Sequence, residues 1–204
     1  MPKVNNLMTE NLTPEEYNRL ENLLDEEKDI QAANLLRFAL FTGMRRGELF
    51  KLKWKDINYN TKIILIRDPK SGLDETIPIN EIALSVLDKH PKTESEFVFP
   101  GLGGNQRKTT PRPLRRVIKK AGLNNFRPFH GLRHAYASTL ASSGKVDLYK
   151  LQKLLTHKSP LMTQRYAHLS NDALMEASNV ISDLTKSHQN ITDLDELKIG
   201  KGES

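Results

Sequence analysis

Cysteine is missing from all 204 residues. Its absence rules out disulfides, zinc ribbons and thiol nucleophiles, and it permits a reducing compartment, so the expected location is the cytoplasm. No run of about 18 apolar residues occurs, so no membrane span is expected. Residues Met1 to Glu10 are polar and lack the apolar core of a signal peptide. Internal repeats and low-complexity stretches are also lacking. Nor do Asp and Glu gather beside the candidate chemistry, which argues against a magnesium-dependent nuclease built on convergent carboxylates.

What is present is an ordinary globular balance, 37% hydrophobic and 27% charged, in a length that suits one domain with tails. The net charge of +6 is unevenly spread. Residues 1–36 sum to −5 and residues 37–133 to +11, so a basic middle follows an acidic start. A basic middle fits a polyanion such as nucleic acid, and equally a solvated lysine-rich surface.

Helix signals dominate. Thr13-Pro14-Glu15-Glu16 reads as a cap, a first-turn proline and a capping box, followed by the apolar face Tyr17, Leu20, Leu23, Leu24. A second helix is expected from Asp29 to Phe41, stopped by Gly43, and a short third from Arg46 to Leu52. The texture then changes to Thr61–Ile66 and Thr76–Ile79, two strands of a small antiparallel hairpin with Pro78 at an edge. Asp68 to Gly72 forms their turn, Trp54 to Ile57 is a candidate third strand, and Phe97 to Phe99 a further short one. Helices return at Asn80–Lys89, Pro113–Ala121, His130–Ser142 and Asp147–Leu155; a short one from Ser159-Pro160 contains Tyr166, and a last amphipathic one covers Asn171–Leu184. The fold class expected is α+β, mainly α: a helical core with a small antiparallel sheet. Residues 1–185 form the domain and 186–204 a mobile tail.

A phosphodiester can be attacked without a metal if fixed cations stabilise the added charge, a nucleophile attacks and a proton donor serves the leaving oxygen. Arginine suits the first task because its planar fork matches two phosphate oxygens. His130-Gly131-Leu132-Arg133 places a histidine and an arginine on one face at a helix start, where amide N–H groups also favour phosphate. A capping histidine with a surface arginine fits the same spacing. His130 and His134, four apart, could suggest a metal face, but no acidic residue follows at a useful spacing and Arg133 lies between them, so no metal is expected.

The segment Phe129-His130-Gly131-Leu132-Arg133-His134-Ala135-Tyr136-Ala137-Ser138 resembles the second conserved box of tyrosine recombinases, the phage integrase and Xer-type family. Thr42-Gly43-Met44-Arg45-Arg46-Gly47-Glu48-Leu49 is similar to the first box, and Leu154 to Leu169, with His157 and Tyr166, to the last. The boxes occur in family order, and the resemblance covers roughly residues 10–182. It implies that Arg45 and Arg133 clamp the scissile phosphate and that His157 hydrogen-bonds it. Lys70, in the hairpin turn, would protonate the leaving 5′ oxygen, although Gly72-Leu73-Asp74-Glu75 follows where the family often has more basic residues. His130 would move the proton of Tyr166, which attacks to leave a 3′-phosphotyrosine. Glu48 would hold the architecture. A free phenol titrates near 10, so neighbouring arginines and a proton acceptor are needed. The covalent intermediate keeps the energy of the phosphodiester, so no cofactor is implied.

Arg112, Arg115, Arg116, Lys119 and Lys120 would share one broad helical face and contact DNA phosphates, unless that face is merely solvated. The implied partner is double-stranded DNA, with a monomer in its absence and a tetramer on synapsed DNA. The family's helical core-binding domain has no room before residue 10 and is expected to be absent. The alternatives are a type IB topoisomerase, which shares fold and chemistry, and a DNA-binding module with a decayed site.

Overall fold

The computed structural model describes residues 12–67, 73–124 and 126–170. Lys70, the expected helix Asn171–Leu184 and the tail 186–204 therefore lie outside the described residues. Helix α1 (Pro14–Asp25) begins at Thr13, whose hydroxyl accepts from the Glu16 amide while the Glu16 carboxylate accepts from the Thr13 amide at 2.9 Å. Helix α2 (Ile30–Thr42) is capped by Asp29 and is stopped by Gly43 in the left-handed region at φ 63°. Helix α3 (Arg46–Lys51) follows at once. Strands β1 (Ile57–Asn58), β2 (Ile63–Ile66) and β3 (Glu75–Pro78) form an antiparallel sheet in that order, with Pro78 on an edge strand. Ile64 opposite Ile77 gives the sheet its buried face.

Helices α4 (Glu81–Asp88), α5 (Arg112–Lys120), α6 (Pro128–Ser142), α7 (Leu148–Leu154) and α8 (Pro160–Gln164) complete the domain. The main core gathers Leu20, Leu36, Phe38, Leu49, Ile64, Leu87, Phe99, Leu114 and Leu132. A smaller cluster holds Ala137, Ala141, Leu151, Leu155 and Tyr166. Helix α6 joins the two, because Leu132 and Ala135 face the first and Ala137 and Ala141 the second. The apolar area removed from water at each such side chain, about 25 cal/mol per Å², makes α6 the structural axis.

Four sequence expectations change. Helix α6 starts at Pro128, two residues early, because proline is preset for the first helical position, so His130 lies inside the first turn. Trp54–Asp56 is a 3₁₀ turn, and the third strand is only Ile57–Asn58. Phe97–Phe99 contributes a single bridge, Phe97 to Lys53, instead of a strand. Helix α8 ends at Gln164, so Tyr166 sits in the bend that follows it, before the 3₁₀ turn Ala167–Ser170.

Candidate active site

The junction of α2, α3, α6 and α7 assembles the site from segments far apart in sequence. Arg45 is the N-cap residue of α3. Its main-chain N–H and its Nη1 both donate to the Glu48 carboxylate, at 2.7 and 2.8 Å. Nη1 also reaches the Thr156 hydroxyl, and Nη2 donates to the Thr156 carbonyl at 3.0 Å. Glu48 is buried, so it acts as a fixed carboxylate that orients the guanidinium. The neighbouring Arg46 turns away and lies over the Phe50 ring, 5.8 Å from its centroid.

Arg133 is 8% exposed and ties two helix ends together. Nη1 donates to the Gly43 carbonyl at 2.7 Å, and Nη2 to the Leu155 carbonyl. Burial, and next the charge of Arg45, pull its guanidinium down to about 10, still protonated at neutral pH. Arg133 also lines a cavity of about 440 Å³, together with Arg45, His130, His134, His157, Leu161, Met162, Arg165 and Tyr166.

His157 follows α7 and is held at both ends. Its N–H donates to the Gln152 carbonyl at 3.0 Å, and its carbonyl accepts from the Gln152 amide at 3.1 Å. Its Nδ1 lies 2.8 Å from the hydroxyl of buried Thr163, which directs Nε2 to the cavity. Burial, then the charges of Arg133 and Arg45, hold the ring neutral, with its pKa lowered to about 3. A neutral imidazole with a protonated Nε2 is a hydrogen-bond donor to an oxyanion.

Tyr166 is 4% exposed, and its hydroxyl lies 2.6 Å from Nδ1 of His134. Nε2 of His134 lies 2.8 Å from Nε2 of His130. The sequence reading gave the Tyr166 proton to His130 directly and considered His134 only as a metal face. The structure instead inserts His134 between them. Two residues that had no role in the sequence reading support the site. Thr156 anchors Arg45 from a left-handed backbone, φ 48°, which a β-branched residue rarely adopts. Gly131 lies beneath Phe126, where a Cβ would come within 2.5 Å of the ring. Gly131 was quoted in the second box, but only the packed structure gives its reason. The one signal for Thr156 was its place directly before His157.

Exposed Arg112, Arg115, Arg116, Lys119 and Lys120 surround the solvent side of α5, while Leu114, Val117 and Ile118 bury the other. The basic face is not uniform. Arg116 pairs with Glu27 at 2.8 Å, whereas Arg115 lines a second cleft with Arg46, Arg127 and His130, next to the site.

Fold and site together define a helical domain that concentrates three arginines, three histidines and a buried tyrosine around one cavity. The phage integrase family model matches residues 10–172, and the chain belongs to that family. It is 31% identical over 183 residues to tyrosine recombinase XerA of Pyrococcus horikoshii, covering 86% of this chain and 62% of that protein. It is 30% identical over 199 residues to the integrase of Salmonella phage P22, covering 90% of this chain and 50% of that one. The chain thus spans roughly half to three-fifths of the length of these relatives. The crystal structure of XerA recombinase superposes with a TM-score of 0.66 at 28% identity, over 82% of this chain and 63% of that one. The catalytic domain of bacteriophage HP1 integrase shares the fold, with a TM-score of 0.65 at 23% identity over 83% of this chain and 93% of that domain.

Proposed function

We propose that this chain is the catalytic domain of a site-specific DNA recombinase, which breaks and rejoins DNA through a 3′-phosphotyrosine on Tyr166. The observation that carries the reading is the convergence of Arg45, Arg133, His157 and the Tyr166–His134–His130 contact on one cavity. Arg45 and Arg133 bind the non-bridging oxygens of the scissile phosphate, held in place beforehand by Glu48, Thr156 and two main-chain carbonyls. His157 donates a further hydrogen bond. The Tyr166 oxygen attacks phosphorus, and the 5′ oxygen leaves with a proton from Lys70, in the β2–β3 connection. Religation runs the same steps in reverse with a 5′ hydroxyl as the nucleophile. Arg112, Arg115, Lys119 and Lys120 face the duplex flanks. The protein is a monomer alone and a tetramer on synapsed DNA. The relatives are named recombinases and integrases, which favours strand exchange over topoisomerase-type relaxation.

A nicked suicide duplex cut from the DNA flanking the gene tests this. Cleavage upstream of the nick releases a short strand and traps an SDS-resistant protein–DNA adduct. Tyr166→Phe abolishes the adduct and leaves duplex binding within about twofold, since the phenol hydroxyl is not needed for phosphate-backbone contacts. An adduct formed by Tyr166→Phe would refute the assignment of the nucleophile.

A further inference from the structure

We infer that His134 is a catalytic residue which passes the Tyr166 proton to His130, so that the nucleophile is activated through two imidazoles in series. The inference rests on the reading of Tyr166 as the nucleophile and concerns how it loses its proton. The geometry is linear in its logic. Tyr166 Oη lies 2.6 Å from His134 Nδ1, and His134 Nε2 lies 2.8 Å from His130 Nε2. Two ring nitrogens this close require one to donate and the other to accept. If the phenol donates to Nδ1 of a neutral His134, that ring carries its hydrogen on Nε2 and donates to His130, which then holds its own hydrogen on Nδ1. Every hydrogen bond in the chain points the same way, from phenol to His130.

The transfer balances. The Tyr166 O–H bond breaks as an N–H bond forms at His134 Nδ1. The His134 Nε2–H bond breaks as one forms at His130 Nε2. The phenolate oxygen forms the bond to phosphorus as the bond to the 5′ oxygen breaks. His134 ends neutral with its hydrogen moved from Nε2 to Nδ1, and the positive charge rests on His130. That is where it is best tolerated, because His134 is buried and His130 is exposed to solvent. His130, Arg165, Arg127 and Arg133 surround His134. Arg165 Nη1, which can only donate, lies 3.5 Å from Nε2, at the outer limit of a hydrogen bond, so it competes weakly with the 2.8 Å contact from Nε2 to His130. Burial first, and then these cations, lower the His134 pKa to about 4, so the ring conducts a proton without keeping one. Religation returns the proton along the same path.

Two measurements test the relay. On the DNA-free protein labelled with ¹⁵N-histidine, two-bond ¹H–¹⁵N spectra at pH 7 read each tautomer. The relay requires neutral His134 protonated at Nε2, and a shift of its Nδ1 resonance in Tyr166→Phe. A His134 protonated at Nδ1, or doubly protonated, overturns it whatever the protein does to DNA. On the nicked suicide duplex, the variants are His134→Asn, which keeps an acceptor beside the phenol but cannot relay, His130→Ala, and the double variant. Removing a general base slows a reaction by roughly 10²–10⁴-fold, so each single variant should form adduct about a hundredfold more slowly at pH 7. The double variant should be no slower than the worse single one. With the base gone, the phenol loses its proton to hydroxide, and the His134→Asn rate should climb about tenfold per pH unit from 7 to 9. A purely positional role predicts near-normal rates for His134→Asn and a parallel pH profile, and that result overturns the relay while leaving the recombinase reading intact. Wild-type protein that forms no adduct defeats the recombinase reading and, with it, the relay that rests on that reading.

Discussion

Arg45, Arg133 and His157 acquire their properties from what they touch. Arg133 spends donors on the carbonyls of Gly43 and Leu155, so the ends of α2 and α7 are fixed by the side chain that would bind phosphate. Arg45 relies on Thr156 in the same manner. Thr156→Ala removes the hydroxyl but retains the carbonyl, and it should slow adduct formation about tenfold, the value of one ordinary hydrogen bond of ~1–1.5 kcal/mol, with little change in melting temperature. An unchanged rate would mean that the main-chain carbonyl alone orients Arg45. Gly43 is constrained twice, by a φ of 63° and by the Tyr136 ring, whose Cδ1 would lie 2.4 Å from an added Cβ. Gly43→Ala should lose about 2 kcal/mol in denaturant unfolding, and should also weaken phosphate binding by moving the carbonyl that holds Arg133. At this scale the sequence was informative about residue type and silent about contact. Arg45, His130, Arg133, His157 and Tyr166 were legible from their boxes, and the structure brings Arg45, His130, Arg133, His157 and Tyr166 to one cavity. The role of His134 was not legible, because an i, i+4 histidine pair shows only that two rings share a helix face. Nor was that of Thr156, since nothing in a threonine announces a left-handed backbone.

Elements were easiest to read where their signals were local. Thr13 with Glu16, Asp29 before α2, Gly43 after it and Pro160 at the start of α8 all act within one turn of the boundary they set. Phe97 was misread because its one bridge to Lys53 depends on a distant partner. The end of α8 was misread because Arg165 and Tyr166 are compatible with helix, yet the bend swings Tyr166 into the cluster with Leu151 and Leu155. Helix α5 shows how pairing divides a charge pattern that looks uniform. Arg116 is matched by Glu27, while Arg115 faces the second cleft. For binding to a nonspecific duplex, Arg115→Ala should therefore reduce the slope of log K against log salt by about 0.9, one phosphate contact. Arg116→Ala should change it by less. Equal effects would indicate that Glu27 releases Arg116 when DNA binds.

The whole molecule carries several histidines that folding keeps neutral. His90 is buried, donates from Nε2 to the Val98 carbonyl and lies against the Asn34 amide; burial lowers its pKa. His134 and His157 are lowered to about 4 and about 3, burial being the largest cause for each. All three would take up a proton near pH 6.5 once unfolded, but resist it while folded. Below that pH the unfolded chain binds more protons, so stability is present above 6.5 and falls progressively as the pH drops toward the folded values. Melting temperature should decline steadily between pH 7 and pH 5, where carboxylates are still ionised; a flat profile would contradict the buried, neutral state of these rings. Among the described residues, no helix is long and apolar enough to cross a membrane. The uneven charge read from the sequence is consistent with this architecture: the acidic start supplies Glu27 to Arg116, and the basic middle supplies Arg45, Arg46, Arg115, Arg127 and Arg133 to the two adjoining clefts.

The central claim is a covalent bond between Tyr166 and the 3′ side of a cut strand. Mass spectrometry of the protease-digested suicide adduct, with the released strand offered to a polynucleotide kinase, reads both ends of the break. The account predicts one nucleotide-bearing peptide, containing Tyr166, and a released 5′ end that accepts phosphate directly because it is a hydroxyl. A nucleotide on any other residue, or a 5′ end already phosphorylated, would contradict it.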